Sequence, residues 1–308
     1  MNAAFALSFA VLALSPEQKD VMEKRWIDTL WPPAREVSFS PTTLQEREAF
    51  EKLIPAILDA APDTKVPPKA LGELAKSAGF TLESWSEGSE TFWTLREQPG
   101  HYRGAGAYVF RTGKASEIVI QAPHADFDVG TGTLGALLFL RAPDGRKPRA
   151  FITNTAHRYK SRPDEKKEDE DHPADVAHNP EHLFQITTDL IAQRLKHLRV
   201  VQLHGFGKSE APAREALTAV VSAGSQTPTV WVSSVANALR TQLGDGVKLF
   251  PEQTQVLGGT TNAQARLLRS YPSAQFLHLE LSSDARKELV TPERLQAFAR
   301  ALLETTSN

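Results

Sequence analysis

The chain has 308 residues, 41% of them hydrophobic and 23% charged, with a net charge of −2 and no cysteine. That length supports one large domain or one domain with an appendage. The near-neutral charge excludes a basic nucleic-acid footprint. The missing cysteines exclude disulfides, thiolate nucleophiles and thiolate metal sites, which leaves His, Asp and Glu as ligands.

The chain opens with MNAAFALSFAVLALS, an apolar run from Ala3 to Leu14 with a small-residue step at Ala13-Leu14-Ser15. The run is too short to span a bilayer and lacks the basic start of a normal leader. Residues 1–15 therefore read as a candidate signal peptide and the protein as periplasmic or secreted. The alternative is a docked first helix in a cytoplasmic protein. Residues 16–80 read as a helical accessory segment. SPEQKDVMEKRWIDTL starts at a Ser15-Pro16 cap, repeats Val21, Trp26 and Leu30 on one face, and stops at Trp31-Pro32-Pro33. Two amphipathic stretches follow: Thr43–Ala61, with a bend expected at Pro55, and Pro68–Ala78, ended by Gly79.

From Phe80 the period changes to that of strands, in TFWTLRE, GAYVFR and EIVIQAP. Helix TLGALLFLR, strand AFITNT, helix PEHLFQITTDLIAQRL and strand RVVQLHGF come next. Helix REALTAVVSA, strand TPTVWVSS, helices VANALRTQL and NAQARLLRSY, strand QFLHLEL and helix PERLQAFARALLE complete the chain. The alternation predicts an α/β/α layered domain over residues 81–308 with a mixed, largely parallel sheet. The charged stretch at 160–175, KSRPDEKKEDEDHPAD, reads as a flexible solvated loop.

Residues 121–135, QAPHADFDVGTGTLG, hold two overlapping signals. One is a His with two Asp at metal-ligand spacing, the other a G-x-G-x-x-G. A dinucleotide fingerprint needs its first glycine at the strand end and an acid at the end of the next strand. Six residues separate the strand from Gly130, and AFITNT ends without an acid. The glycines are better read as turning the loop so that Asp128 comes back towards His124.

Ligands in open α/β sheets gather beyond the carboxyl ends of the strands. Those ends deliver His124, then Asn154 with His157 and Arg158, then His204, then Glu280 beside Ser282 and Ser283. A catalytic zinc needs three protein ligands and an open position. His124, Asp128 or Asp126, and His204 can supply them, with Glu280 as the carboxylate that moves the proton. Glu280 shares its pleat face with His278 and Phe276. His101, His172 and His197 read as ordinary satisfied histidines. His178 and His182 have the i, i+4 spacing of a zinc pair, but the preferred reading has Asn179 or His178 capping this helix and His182 near the cleft.

PHADFDVGTG, AFITNTAHR, VQLHGF and FLHLELSSDAR together resemble the zinc-peptidase superfamily that contains the metallocarboxypeptidases and the N-formylglutamate and poly-γ-glutamate amidohydrolases. The resemblance covers about residues 100–300. It implies a phosphorylase/hydrolase-like α/β/α fold with His124 and His204 as ligands, Glu280 as the catalytic glutamate, and Asn154 and Arg158 as anchors for a substrate carboxylate. A strict His-x-x-Glu would put the acid at 127, where Phe127 stands, so Asp128 is favoured over Asp126. Arg286 is a secondary candidate anchor. The expected function is zinc-dependent hydrolysis of a peptide, N-acyl amino acid or γ-glutamyl amide, with one Zn²⁺ per chain and a small-molecule or peptide substrate. Two alternatives stand beside it. One is a serine hydrolase using Ser233-Ser234 after the expected strand VWV, although no G-x-S-x-G is present. The other is a non-catalytic binding protein that keeps the fold.

Overall fold

The computed structural model describes residues 16–32, 37–161, 164–169, 172–207 and 214–305. The candidate signal peptide at 1–15 lies outside them. No helix among the described residues is long and apolar enough to cross a membrane.

The described residues form an α/β fold around one mixed sheet of nine strands. In chain order these are β1 (Phe80–Glu87), β2 (Glu90–Glu97), β3 (Ala107–Arg111), β4 (Ser116–Ala122), β5 (Pro148–Thr153), β6 (Arg199–Phe206), β7 (Ala219–Ser222), β8 (Val247–Leu249) and β9 (Gln275–Ser282). Their spatial order is β1-β2-β3-β5-β4-β6-β9-β7-β8. The centre, β5-β4-β6-β9, is parallel throughout. β1, β2 and β3 extend it antiparallel on one side, and β7 runs antiparallel to β9 on the other.

Strand alternation gives the sheet two buried faces. Ile118, Ile120, Val201, Leu203, Leu277 and Leu279 point into one core. That core is closed by α1 (Pro16–Asp28), α4 (Thr131–Leu140), α6 (Val230–Leu243), α8 (Ser283–Leu289) and α9 (Pro292–Leu303). Val119, Val200 and Phe276 point into the other, beneath α2 (Leu44–Ala60), α3 (Lys69–Ser77), α5 (Leu183–Arg194) and α7 (Ala263–Leu268). The three N-terminal helices therefore pack on both faces of the sheet. α2 is set by a capping box, with Thr43 and Glu46 each bonding the other's backbone N–H. Pro55 lies inside α2, and Gly79, at φ 84°, follows α3.

Several expected elements differ. REALTAVVSA was expected as a helix, but its second half is β7, whose β-branched Val220 and Val221 are fully buried. TPTVWVSS was expected as a strand, but it opens α6. Thr229 caps that helix by accepting the Val232 N–H, and Val232, Val235, Ala236 and Leu239 form its buried stripe. Short apolar runs are ambiguous by periodicity, and here the cap and the longer stripe decide. Ser233 and Ser234 thus sit inside α6 rather than at a strand end, which removes the premise of the serine-hydrolase reading. β8 and α8 were not anticipated. On α1, Val21 is 50% exposed, and the buried face is Glu23, Trp26 and Ile27, with Leu30 buried just beyond the helix.

Candidate metal centre

β4, β6 and β9 carry a polar stripe on the α5/α7 face of the sheet, and the centre lies at its carboxyl end. Gln121 on β4, Gln202 and His204 on β6, and His278 on β9 are all buried. Parallel register places Gln202 opposite His278 and His204 opposite Glu280.

Beyond β4 the chain turns at once. The Phe127 and Asp128 N–H groups both donate to the His124 carbonyl, which folds Asp128 back over His124. Gly130 completes this turn at φ 95°, a left-handed conformation that suits glycine, and is the N-cap residue of α4. Gly132 and Gly135 serve close packing: a Cβ would come within 2.5 Å of Trp31 at the first and 2.7 Å of Phe151 at the second. The glycines thus shape the loop and seat α4.

Asp128 Oδ2 lies 3.5 Å from His124 Nδ1 and 3.6 Å from His204 Nδ1. All three side chains are buried, and one ligand atom from each lies within 4.8 Å of the others. The outer nitrogens are committed elsewhere. His124 Nε2 donates to Asp175 Oδ1 at 2.8 Å, and His204 Nε2 donates to Gln202 Oε1 at 2.8 Å. With hydrogen on Nε2, each ring turns a bare Nδ1 towards Asp128. Arg158, which can only donate, places Nη1 3.4 Å from His124 Nδ1 and agrees with that assignment.

In the neutral rings three acceptor atoms therefore converge on one buried point, an arrangement that a shared proton or a metal cation satisfies. Two imidazole nitrogens and a carboxylate oxygen are a zinc donor set. Ligands about 2.0–2.1 Å from a tetrahedral zinc stand about 3.3 Å apart, close to the two spacings seen. The residues fit the ion.

Electrostatics follow the same geometry. Burial opposes charge on Asp128, but the His124 and His204 rings outweigh it and hold the carboxyl below the usual range. Burial also opposes charge on His124, yet Asp175 and Asp128 raise its pKa above that of a free imidazole. Burial lowers His204 to about 4. Burial, reinforced by the charge on Asp128, pushes Glu280 up to about 8.

Glu280 Oε1 stands 3.9 Å from His278 Nε2, and Glu280 Oε2 is buried without a hydrogen-bond partner among the described residues. The His278 ring stacks on His204 at 4.3 Å. Buried His278 and His204 and the partly buried Glu280 thus form a second group beside the first.

The other sequence candidates fall in distinct places. Asn154 lies at the end of β5, but its side chain is spent on the loop: Nδ2 donates to the Ala156 and Ala174 carbonyls, and Oδ1 accepts the Thr155 N–H. Arg158 lies against the centre, clamped by Asp175 through Nη2 and flanked by Phe127 and Tyr159. His157 sits behind Phe127, with Nδ1 accepting the Tyr159 N–H, and burial lowers its pKa. Asp126 does not join the ligand group; it lines a neighbouring cavity of about 490 Å³ with Asp28, Trp31 and Thr155. His182, rather than the expected Asn179 or His178, is the N-cap of α5. Its Nδ1 accepts the Phe184 N–H, Nε2 donates to the Gly104 carbonyl, and burial takes it to about 4. Arg286 is buried, donating to the Leu281 and Val129 carbonyls, and so ties α8 to the ligand loop.

Asp175 was missed. It lies in the stretch read as a solvated loop, but that stretch dives inward at its end: Ala174, Asp175 and Val176 are all buried. Asp175 holds His124, Arg158 and His178 together. Burial opposes its charge, yet these partners keep its carboxyl far below the ordinary range. The signal was the apolar pattern HPADVA after the run of charges.

No family model matches the chain, and no curated protein matches it. Solved structures do. A succinylglutamate desuccinylase from Vibrio parahaemolyticus is 17% identical over 74% of this chain and 79% of its own, with a TM-score of 0.40. YndL in its zinc-free apo form is 14% identical over 68% of this chain and 91% of its own, with a TM-score of 0.38. An aspartoacylase family protein from Mesorhizobium loti is 10% identical over 74% of this chain and 68% of its own, with a TM-score of 0.36.

Proposed function

We propose that the protein is a zinc-dependent hydrolase of an amide bond in a carboxylate-bearing substrate. The observation that carries the reading is the convergence of His124 Nδ1, Asp128 Oδ2 and His204 Nδ1 on one buried point, with both outer imidazole nitrogens already engaged. A zinc ion held there supplies Lewis acidity to the scissile carbonyl and makes water acidic enough to attack near neutral pH.

The chain's own groups perform the rest. Glu280 is the general base, taking the proton of the attacking water at Oε2, which has no partner among the described residues. Glu280 then returns that proton to the leaving nitrogen. Arg158 is held by Asp175 through one arm and offers the other beside His124, where it pairs with a substrate carboxylate in a charge-assisted bond. Asn154 shapes the loop that carries Arg158. His157, with Phe127 and Tyr159, walls this side of the site.

Elemental mass spectrometry of the purified protein and of His204→Ala tests the reading. About one zinc per chain, lost in the variant, is expected, followed by turnover in a screen of N-acyl amino acids, γ-glutamyl amides and peptides. A protein that takes up no zinc when it is supplied rules the mechanism out. One that binds zinc and ligand without turnover is a binding protein on the same scaffold.

A further inference from the structure

Gln202 is fully buried on β6, two residues before His204 and on the same face of the strand. Every hydrogen-bonding capacity of its amide is used. Oε1 accepts from His204 Nε2 at 2.8 Å and from Asn262 Nδ2 at 2.6 Å. Nε2 donates to Gln121 Oε1 at 2.9 Å and to Gln264 Oε1 at 3.0 Å. Turned end for end, this amide would set its carbonyl against two other carbonyls.

Two backbone groups forbid that reversal. The Val176 carbonyl can only accept, and Gln264 Nε2 donates to it at 2.9 Å. Gln264 therefore turns Oε1 towards Gln202, and Gln202 must meet it with Nε2. The Ala265 N–H can only donate, and it bonds Asn262 Oδ1 at 2.9 Å. Asn262 therefore presents Nδ2 to Gln202. Both routes leave Gln202 Oε1 facing His204, so His204 Nε2 carries the hydrogen and Nδ1, the atom nearest Asp128, is bare.

We infer that Gln202, Gln264 and Asn262 are positioning residues that lock His204 in the tautomer needed to bind a metal through Nδ1. The role rests on the metal site proposed above. Buried amides of this kind are costly unless every partner is satisfied, and here each link is. The lock ends at Val176, the neighbour of the residue that fixes His124. One short segment, Asp175-Val176, thus orients both histidines, the first directly and the second through two glutamines.

Long-range ¹H–¹⁵N correlation spectra of the metal-free protein read the tautomer directly. His204 is expected with hydrogen on Nε2 alone. Zinc affinity, measured by competition with a chelator, is expected to fall about 10–100-fold in Gln202→Met, the range for loss of a partner behind a metal-bound histidine. Hydrogen on Nδ1 in the wild type overturns the inference, as does Gln202→Met with unchanged tautomer and unchanged zinc affinity. If Gln202→Met does not fold, the wild-type spectrum decides alone. A wild type that binds no zinc sinks the metal reading, while the spectrum still decides the lock.

Discussion

His204 on β6 and Glu280 on β9 are direct partners in a parallel ladder, His204 two residues and Glu280 four residues beyond Gln202 and Phe276 respectively. A candidate ligand and a candidate base are thus spaced by backbone hydrogen bonds rather than by a mobile loop. Glu280→Gln should leave that ladder and the zinc content intact while lowering turnover about 10²–10⁴-fold, the usual worth of a general base. Parallel assays of metal content and kcat check this, and a variant with undiminished kcat would remove Glu280 from the mechanism.

Asp175→Ala should weaken zinc binding about 10–100-fold, because His124 loses the carboxylate that fixes its Nε2 hydrogen. Asp175→Asn keeps an acceptor and should lose less. Chelator competition distinguishes the two. Equal zinc affinity in wild type and Asp175→Ala would show that the ring is held by packing alone.

Glu46 links α2 to Arg103, with 2.6 Å between Oε1 and Nη1 and only 20% of the Glu46 side chain exposed. Burial works against its charge, but Arg103 and the Thr43 cap prevail and bring it from 4.5 to about 2. A carboxyl lowered on folding adds stability that is complete above about pH 4.5 and disappears as pH falls towards 2. Glu46→Gln should therefore cost about 1–2 kcal/mol at pH 7, discounted for partial exposure. Denaturant melts at a series of pH values should show the two proteins converging towards pH 2; a constant gap would mean that the loss is steric.

The same substitution at two glycines should have opposite signs. At Gly135, inside α4, a Cβ would meet Phe151 at 2.7 Å and Leu203 at 3.5 Å, so Gly135→Ala should destabilise by about 1–3 kcal/mol. At Gly72, exposed on α3, nothing lies within 4 Å, and Gly72→Ala should stabilise by about 0.5–1 kcal/mol. Thermal melts of the two variants read both effects, and a stabilised Gly135→Ala would mean that Phe151 can move aside.

Much of the site was legible because strand ends are legible. Period-two runs located β4, β6 and β9, and with them His124, His204 and Glu280. Asp128 was favoured over Asp126 without proof, since both sit on one tight turn and only its hydrogen bonds decide which faces His204. Asp175 lies 51 residues from His124 and behind a run of charges, so spacing carried no sign of it. Gln121 and Gln202 left a trace: each is an amide set among apolar strand residues just before a strand-end histidine. β7 and α6 were misassigned because Val-rich runs of a few residues suit either structure, and the Thr229 cap was overlooked.

In the proposed metal site, the loop ending in Asp175-Val176 would make a bound ion a staple between a surface excursion and the central strands. An ion at a hundred times its dissociation constant adds about 2.7 kcal/mol to the state that holds it, and by reciprocity that energy resists detachment of this loop. Chelation should therefore loosen one edge of the molecule first, exposing residues 164–169 to proteases while amide exchange in the buried strands stays slow. The protein would lose its metal by fraying locally, long before the sheet comes apart.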